Sequence, residues 1–264
     1  MNIWVRELKA NLRSLLIWGV IVVLFVTVGV SKFSAYYGNP EMLAMLDQMP
    51  PAVLAAFSFK AFNLTTLTGF FGLMFTYFAL LLSIAAAMWG SDIISKEERD
   101  KTVEFSLTLP VTRSRVVTAK ALAALVNCIG LLLITWGASL VSAAQYQPDS
   151  EFYGFLRLCM LALFILQLTF LAIGIFLGCA MKRYKRVSSV AVSVLLGTYF
   201  LSVISALNEN LEFLKYLSPF KYFDAGVLLH EARFDTAFVL LSVAIILVSM
   251  VGAYLTYARR DLYI

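Results

Sequence analysis

Residues 158–181 read LCMLALFILQLTFLAIGIFLGCAM, an unbroken run without a charge or a proline. A helix needs roughly 20 apolar residues to cross about 30 Å of hydrocarbon, so this run is long enough to span a bilayer. It is continuous rather than alternating, which argues against the strand of a membrane barrel. Five more runs share the character: Leu12–Val30, Phe70–Trp89, Ala121–Val141, Val187–Leu207 and Ala237–Tyr257, none of them with a proline. With Leu158–Met181 they predict an all-α membrane protein with six transmembrane helices.

The composition points the same way. The chain is 61% hydrophobic and 14% charged, with a mean hydropathy of +0.85. A soluble domain is usually about half apolar and about a quarter charged, so the surplus apolar surface requires lipid. The net charge of +5 and pI near 9.1 would also suit a nucleic-acid binder. No basic run is interleaved with aromatics in a soluble segment, however, and basic residues ordinarily gather in cytoplasmic loops; no nucleic-acid partner is expected. Cys128, Cys159 and Cys179 each sit inside an apolar run, which reads as small buried hydrophobes rather than a disulfide framework or metal site.

Lysine and arginine set the orientation. The N-terminus carries Arg6, Lys9 and Arg13, and Lys96, Arg99, Lys101, Arg113, Arg115 and Lys120 follow the second span. Lys182, Arg183, Lys185 and Arg186 lie between the fourth and fifth, with Arg259 and Arg260 after the sixth. The opposite side receives only Lys32, Lys60, Arg157, Lys215, Lys221 and Arg233. By the positive-inside rule both termini are cytoplasmic, in agreement with an even number of spans. No small-x-small cleavage site precedes Tyr36, so the first span reads as uncleaved. Met1–Arg13 mixes Ile3, Trp4, Val5 and Leu8 with charge and predicts an amphipathic helix lying on the inner membrane surface.

On the outside, Ser31–Gly69 carries Pro40, Pro50 and Pro51 among apolar residues, which suggests short surface helices. Asn208–Thr236 is rich in aromatics, and a helical hairpin dipping into the outer leaflet, broken near Ser218-Pro219, is expected there. No stretch reads as a separate soluble domain or an internal repeat, so a single membrane domain over 1–264 is expected.

One loop differs from the rest. Ser91–Lys120 reads SDIISKEERDKTVEFSLTLPVTRSRVVTAK. Its pieces predict a charged extension of the second span, a short amphipathic helix over about Thr102–Leu109 ended by Pro110, and a further helix from about Ser114. Val103 and Leu107 share a face of the short helix, flanked by Phe105 and Leu109. A solvated linker needs no apolar residues at helical spacing between charged flanks; a helix that docks into a groove on a soluble partner does.

The order Ile94, Glu97-Glu98, Lys101-Thr102-Val103-Glu104, Leu107, Leu109-Pro110, Arg113, Lys120 resembles the pattern of ABC-2 type permeases. The Leu217-Ser218-Pro219-Phe220-Lys221-Tyr222-Phe223-Asp224 run and the closing Ala258-Arg259-Arg260-Asp261-Leu262 extend the resemblance. Lys101 departs from it, standing where the family usually has glycine. The resemblance implies that the loop is a cytoplasmic coupling helix between spans 2 and 3, seated in a cleft of a separate ABC ATPase subunit. Glu97, Glu98 and Glu104 would be charged contacts or orient the helix, and Val103, Leu107 and Leu109 would be apolar contacts, within a set completed by Thr102, Pro110 and Arg113. It also implies a permease homodimer or a heterodimer with a paralogue in the cell membrane, with ATP and magnesium on the ATPase. This chain has no GxxxxGK[ST] motif, so no cofactor and no catalytic residue of its own is expected.

No ionisable residue stands at the centre of a span, which disfavours an ion-driven secondary transporter. Asn127, Thr135, Gln167 and Thr169 read first as helix-to-helix hydrogen bonds. Asn127 and Gln167, together with Ser189 and Ser193 near the inner end of the fifth span, are also candidates for a substrate path. Gly174 and Gly178 form a GxxxG step suited to close packing. His230 is the only histidine, and GxSxG is absent, so metalloprotease and serine hydrolase chemistry are not expected. The leading expectation is an ATP-driven exporter subunit for a hydrophobic or amphipathic cargo such as a peptide, lipid or drug; the alternative is a secondary transporter or channel not driven by ATP.

Overall fold

The computed structural model describes residues 3–37, 39, 62–99, 112–207 and 209–259. Six long helices carry the fold: α1 (Ile3–Phe33), α2 (Leu67–Arg99), α3 (Arg113–Ala143), α4 (Ser150–Ala180), α5 (Val187–Leu207) and α6 (Thr236–Ala258). All six are long and apolar enough to cross a membrane, and no strand occurs among the described residues. Each covers one of the runs read above, α4 stopping one residue short of Met181, and four extend well beyond it. The 33 residues of α2 make a rod of about 50 Å, longer than the hydrocarbon layer, so its ends stand clear of it.

The expected interfacial helix over 1–13 is not a separate element, and its described part forms the opening turns of α1. No glycine or proline occurs before Gly19, so nothing interrupts the backbone ladder, and Glu7 binds this stretch to α2. The charged extension of the second span is present to Arg99, and the further helix begins at Arg113. The expected coupling helix, with Thr102, Val103, Glu104, Leu107, Leu109 and Pro110, lies outside the described residues, as do most of the surface helices expected over Ser31–Gly69.

Two helices form the centre. In their most apolar stretches α2 and α4 are 67% and 61% buried, against 17% for α5 and α6. They run parallel and meet backbone to backbone. A Cβ on Gly174 would stand 2.6 Å from the Ala87 carbonyl oxygen and 3.0 Å from the Ser91 nitrogen. A Cβ on Gly178 would stand 3.1 Å from the Ser91 carbonyl oxygen. The GxxxG step therefore serves close packing. Around this pair, α1 lies mainly on α3, α6 mainly on α4, and α5 mainly on α2.

The two ends of the bundle differ in chemistry. One is aromatic: Phe33 contacts Phe70 and Tyr146 at centroid distances of 5.1 and 4.9 Å, and Phe71 meets Phe152 at 5.6 Å. At this end the chain between α5 and α6 forms a 3-10 stretch, Glu209–Leu217, and two short helices, Pro219–Tyr222 and Ala225–Glu231. The break read at Ser218-Pro219 is present. Ser218 Oγ donates to the Thr198 carbonyl at 2.7 Å, nine residues short of the end of α5, a depth of about 13 Å. Phe220 lies between Phe170 of α4 and Tyr199 of α5, at 5.1 and 5.4 Å. The segment thus folds back into the bundle, where protein rather than lipid covers its irregular backbone. The opposite end is charged.

Candidate functional site

The charged end brings together the start of α1, the end of α2, the starts of α3 and α5 and the ends of α4 and α6. Residues 100–111 leave from α2 and return to α3 here. Each leg is fastened. On the departing leg, Lys96 of α2 forms an ion pair with Glu7 of α1, the lysine side chain 13% and the glutamate 2% exposed. Arg6 approaches the same carboxylate at 3.6 Å. Two turns below, Trp89 Nε1 donates to Ser14 Oγ at 2.8 Å, a second tie between α2 and α1. Ser91 Oγ lies 3.1 Å from Ser188 Oγ of α5.

On the returning leg, Thr112 caps α3 by accepting from the Arg115 amide at 3.4 Å. Arg113 reaches the end of α6 and donates to the carbonyls of Tyr257 and Ala258 at 3.3 and 3.1 Å. These carbonyls belong to a last helical turn, where oxygens lack intrahelical partners and the dipole favours a cation. Thr118 and Tyr254 join α3 to α6 again at 2.8 Å.

Lys120 joins the two legs. Its side chain is 1% exposed, and its ammonium donates to the Ile93 carbonyl of α2 at 2.7 Å. A helical carbonyl has a second lone pair, so Ile93 accepts this bond without giving up its place in α2. Removing one member of a buried pair such as Glu7–Lys96 leaves an uncompensated charge, at a cost of about 3–5 kcal/mol. Such contacts tie α2 and α3 to each other, and these in turn to α1 and α6.

The expected residues divide accordingly. Glu97 and Glu98 stand in the last turn of α2. Glu98 is 8% exposed. Arg113 opens α3 and fastens α6. The four path candidates do not come together: Asn127 and Gln167 are buried in the interior, while Ser189 and Ser193 are exposed on α5. The first reading of the polar residues also needs correcting. Thr135 and Thr169 bond to carbonyls four residues back in their own helices, at 2.8 and 2.9 Å. Gln167 has no hydrogen-bond partner at either side-chain end, nor has Asn127 Nδ2. Sequence reasoning missed Glu7, though a signal was there: it is the only acid in the basic stretch 1–13. It gave no contact for Lys120, whose bond to the Ile93 main-chain oxygen leaves no mark in the side-chain pattern.

Six long apolar helices with one charged, cross-braced end define a multi-pass membrane protein whose soluble-side segment is anchored at both feet. The sequence model of the family described as ABC-2 family transporter protein matches residues 1–262. The chain belongs to that family. It is accordingly a permease component of an ABC transporter, a membrane part that is not itself catalytic and works with an ABC ATPase. A search of curated proteins yields no significant match.

Proposed function

We propose that this chain couples ATP hydrolysis by a separate ATPase subunit to export of a hydrophobic or amphipathic cargo, through docking of the segment 100–111. The observation that carries the reading is the double anchorage of that segment. Its departing leg is tied to α1 by Glu7–Lys96, its returning leg to α6 by Arg113, and the legs to each other by Lys120. A freely solvated linker needs no such bracing, whereas a segment that receives force must hand it on to helices. In this reading Thr102, Val103, Glu104, Leu107, Leu109 and Pro110 meet the ATPase, and ATP and magnesium bind there.

The charged end faces the cytoplasm of the cell membrane, two permease domains pair as a homodimer or with a paralogue, and the whole chain acts as one membrane domain. The apolar spans and the aromatic outer segment support a peptide, lipid or drug as cargo. The test is a double substitution, Glu104→Ala with Leu107→Lys, in the permease co-expressed with its ATPase. Co-purification and permease-dependent ATPase activity are expected to fall at least several-fold while the permease elutes as a folded species. Unchanged co-purification and unchanged stimulation would refute the docking role.

A further inference from the structure

Between the aromatic-end halves of α1 and α2 lies a cleft of about 420 Å³. Its walls are Phe25, Val28, Tyr36, Phe70, Met74 and Tyr77, and the one charged residue on it is Lys32. Two aromatic pairs bound it: Phe25–Tyr77 at the deep end and Tyr36–Phe70 at the top, each at 5.9 Å. Seven helical residues separate Phe70 from Tyr77 on the α2 wall, so the cleft runs about 10 Å down the outside of the bundle. It opens sideways, since Val28 on its edge is 55% exposed. Gly29 shapes it as well, with Met74 Sδ 3.1 Å from where a Cβ would stand.

Lys32 sits one turn above Val28 in the final turn of α1 and is exposed. Among the described residues its ammonium has neither an ion pair nor a hydrogen bond. The other described lysines and arginines at this end are engaged: Arg157 with the Tyr153 carbonyl, Lys215 with Glu212, Lys221 with Asp224 and Arg233 with Glu231. An apolar slot open to lipid, with an unpaired cation at its mouth near the interface, is complementary to a chain bearing an anionic head.

We propose that this cleft holds one acyl chain of an anionic phospholipid of the surrounding bilayer, its phosphate paired with Lys32. A neutral or zwitterionic lipid gains the same apolar contact without the net charge attraction, so the site selects by headgroup. The proposal rests on the membrane-spanning fold alone and stands apart from the coupling reading.

The full chain, purified in mild detergent and exposed to an equimolar mixture of phosphatidylglycerol and phosphatidylcholine, is to be examined by native mass spectrometry. The wild type is expected to retain one phosphatidylglycerol with several-fold preference over phosphatidylcholine. Lys32→Gln brings the preference to about parity, Lys32→Arg keeps it, and Val28→Trp, which places an indole in the slot from its lipid side, removes retained lipid of both kinds. Equal retention of the two lipids by the wild type, or an undiminished preference in Lys32→Gln, overturns the proposal. Retention of neither lipid overturns it too.

Discussion

Gln167 has no surface open even to a water molecule, and neither end of its amide has a partner. Ser83 Oγ shares that condition. Ser83 and Gln167 each stand two turns before a glycine, Gly90 and Gly174, and those glycines lie against one another across α2 and α4. The two side chains therefore occupy one level, halfway along both helices. A buried polar group without a partner destabilises by about 1–3 kcal/mol. Gln167→Leu is accordingly expected to raise stability by that order, read as a higher melting temperature in detergent; a lower one would mean that the amide finds partners in another arrangement of the helices. At this scale the sequence was only partly legible. Asn127, Thr135, Gln167 and Thr169 were visible as polar residues in apolar runs, but their partners were not. A threonine can turn to its own helix, and an amide can meet nothing, without any change in the pattern.

At the scale of elements the decisive contact is that of α2 with α4. Gly174 and Gly178 were legible as a close-packing step, since small residues four apart make a flat strip on a helix. That the strip receives α2 at Ala87–Ser91 was not, because the pairing of two spans is a tertiary fact that leaves no local mark. Gly174→Val is expected to force the backbones apart and lose folded protein, seen as loss of the monodisperse peak in detergent. The cost comes from clashes with backbone atoms, which cannot swing aside as a side chain can. A normal elution profile and melting temperature for this variant would show that α2 and α4 do not meet in this way. The continuity of α1 has the same lesson in reverse. Amphipathic composition over 1–13 suggested a surface helix, whereas the Glu7–Lys96 pair, joining residues far apart in the chain, keeps the described part of the stretch in line with the span.

For the molecule as a whole, the six spans were legible within a few residues at their apolar cores, because crossing hydrocarbon imposes a length that hydropathy reports directly. Their charged extensions were harder to bound, since a helix does not stop where lipid does. The structure puts Ser114 at the charged end and Asn210 at the aromatic one. Single cysteines at these positions are expected to react with a membrane-impermeant maleimide from opposite sides, Asn210→Cys in intact cells and Ser114→Cys only after permeabilisation. Cys128, Cys159 and Cys179 are buried, so the introduced thiols dominate the signal. Labelling of both in intact cells would break the span count, and labelling of Ser114→Cys alone would reverse the proposed orientation.

The braces at the charged end also have an asymmetry of parts. Arg113 and Lys120 supply specific cations, and among the acceptors they reach are the main-chain oxygens of Ile93, Tyr257 and Ala258. Every residue type provides that acceptor. Over evolutionary time the receiving positions are thus free to drift under the demands of lipid and packing alone, while the donors are held to their chemistry. The machinery can change its apolar surroundings, and with them its cargo, without rebuilding the joint through which it is driven.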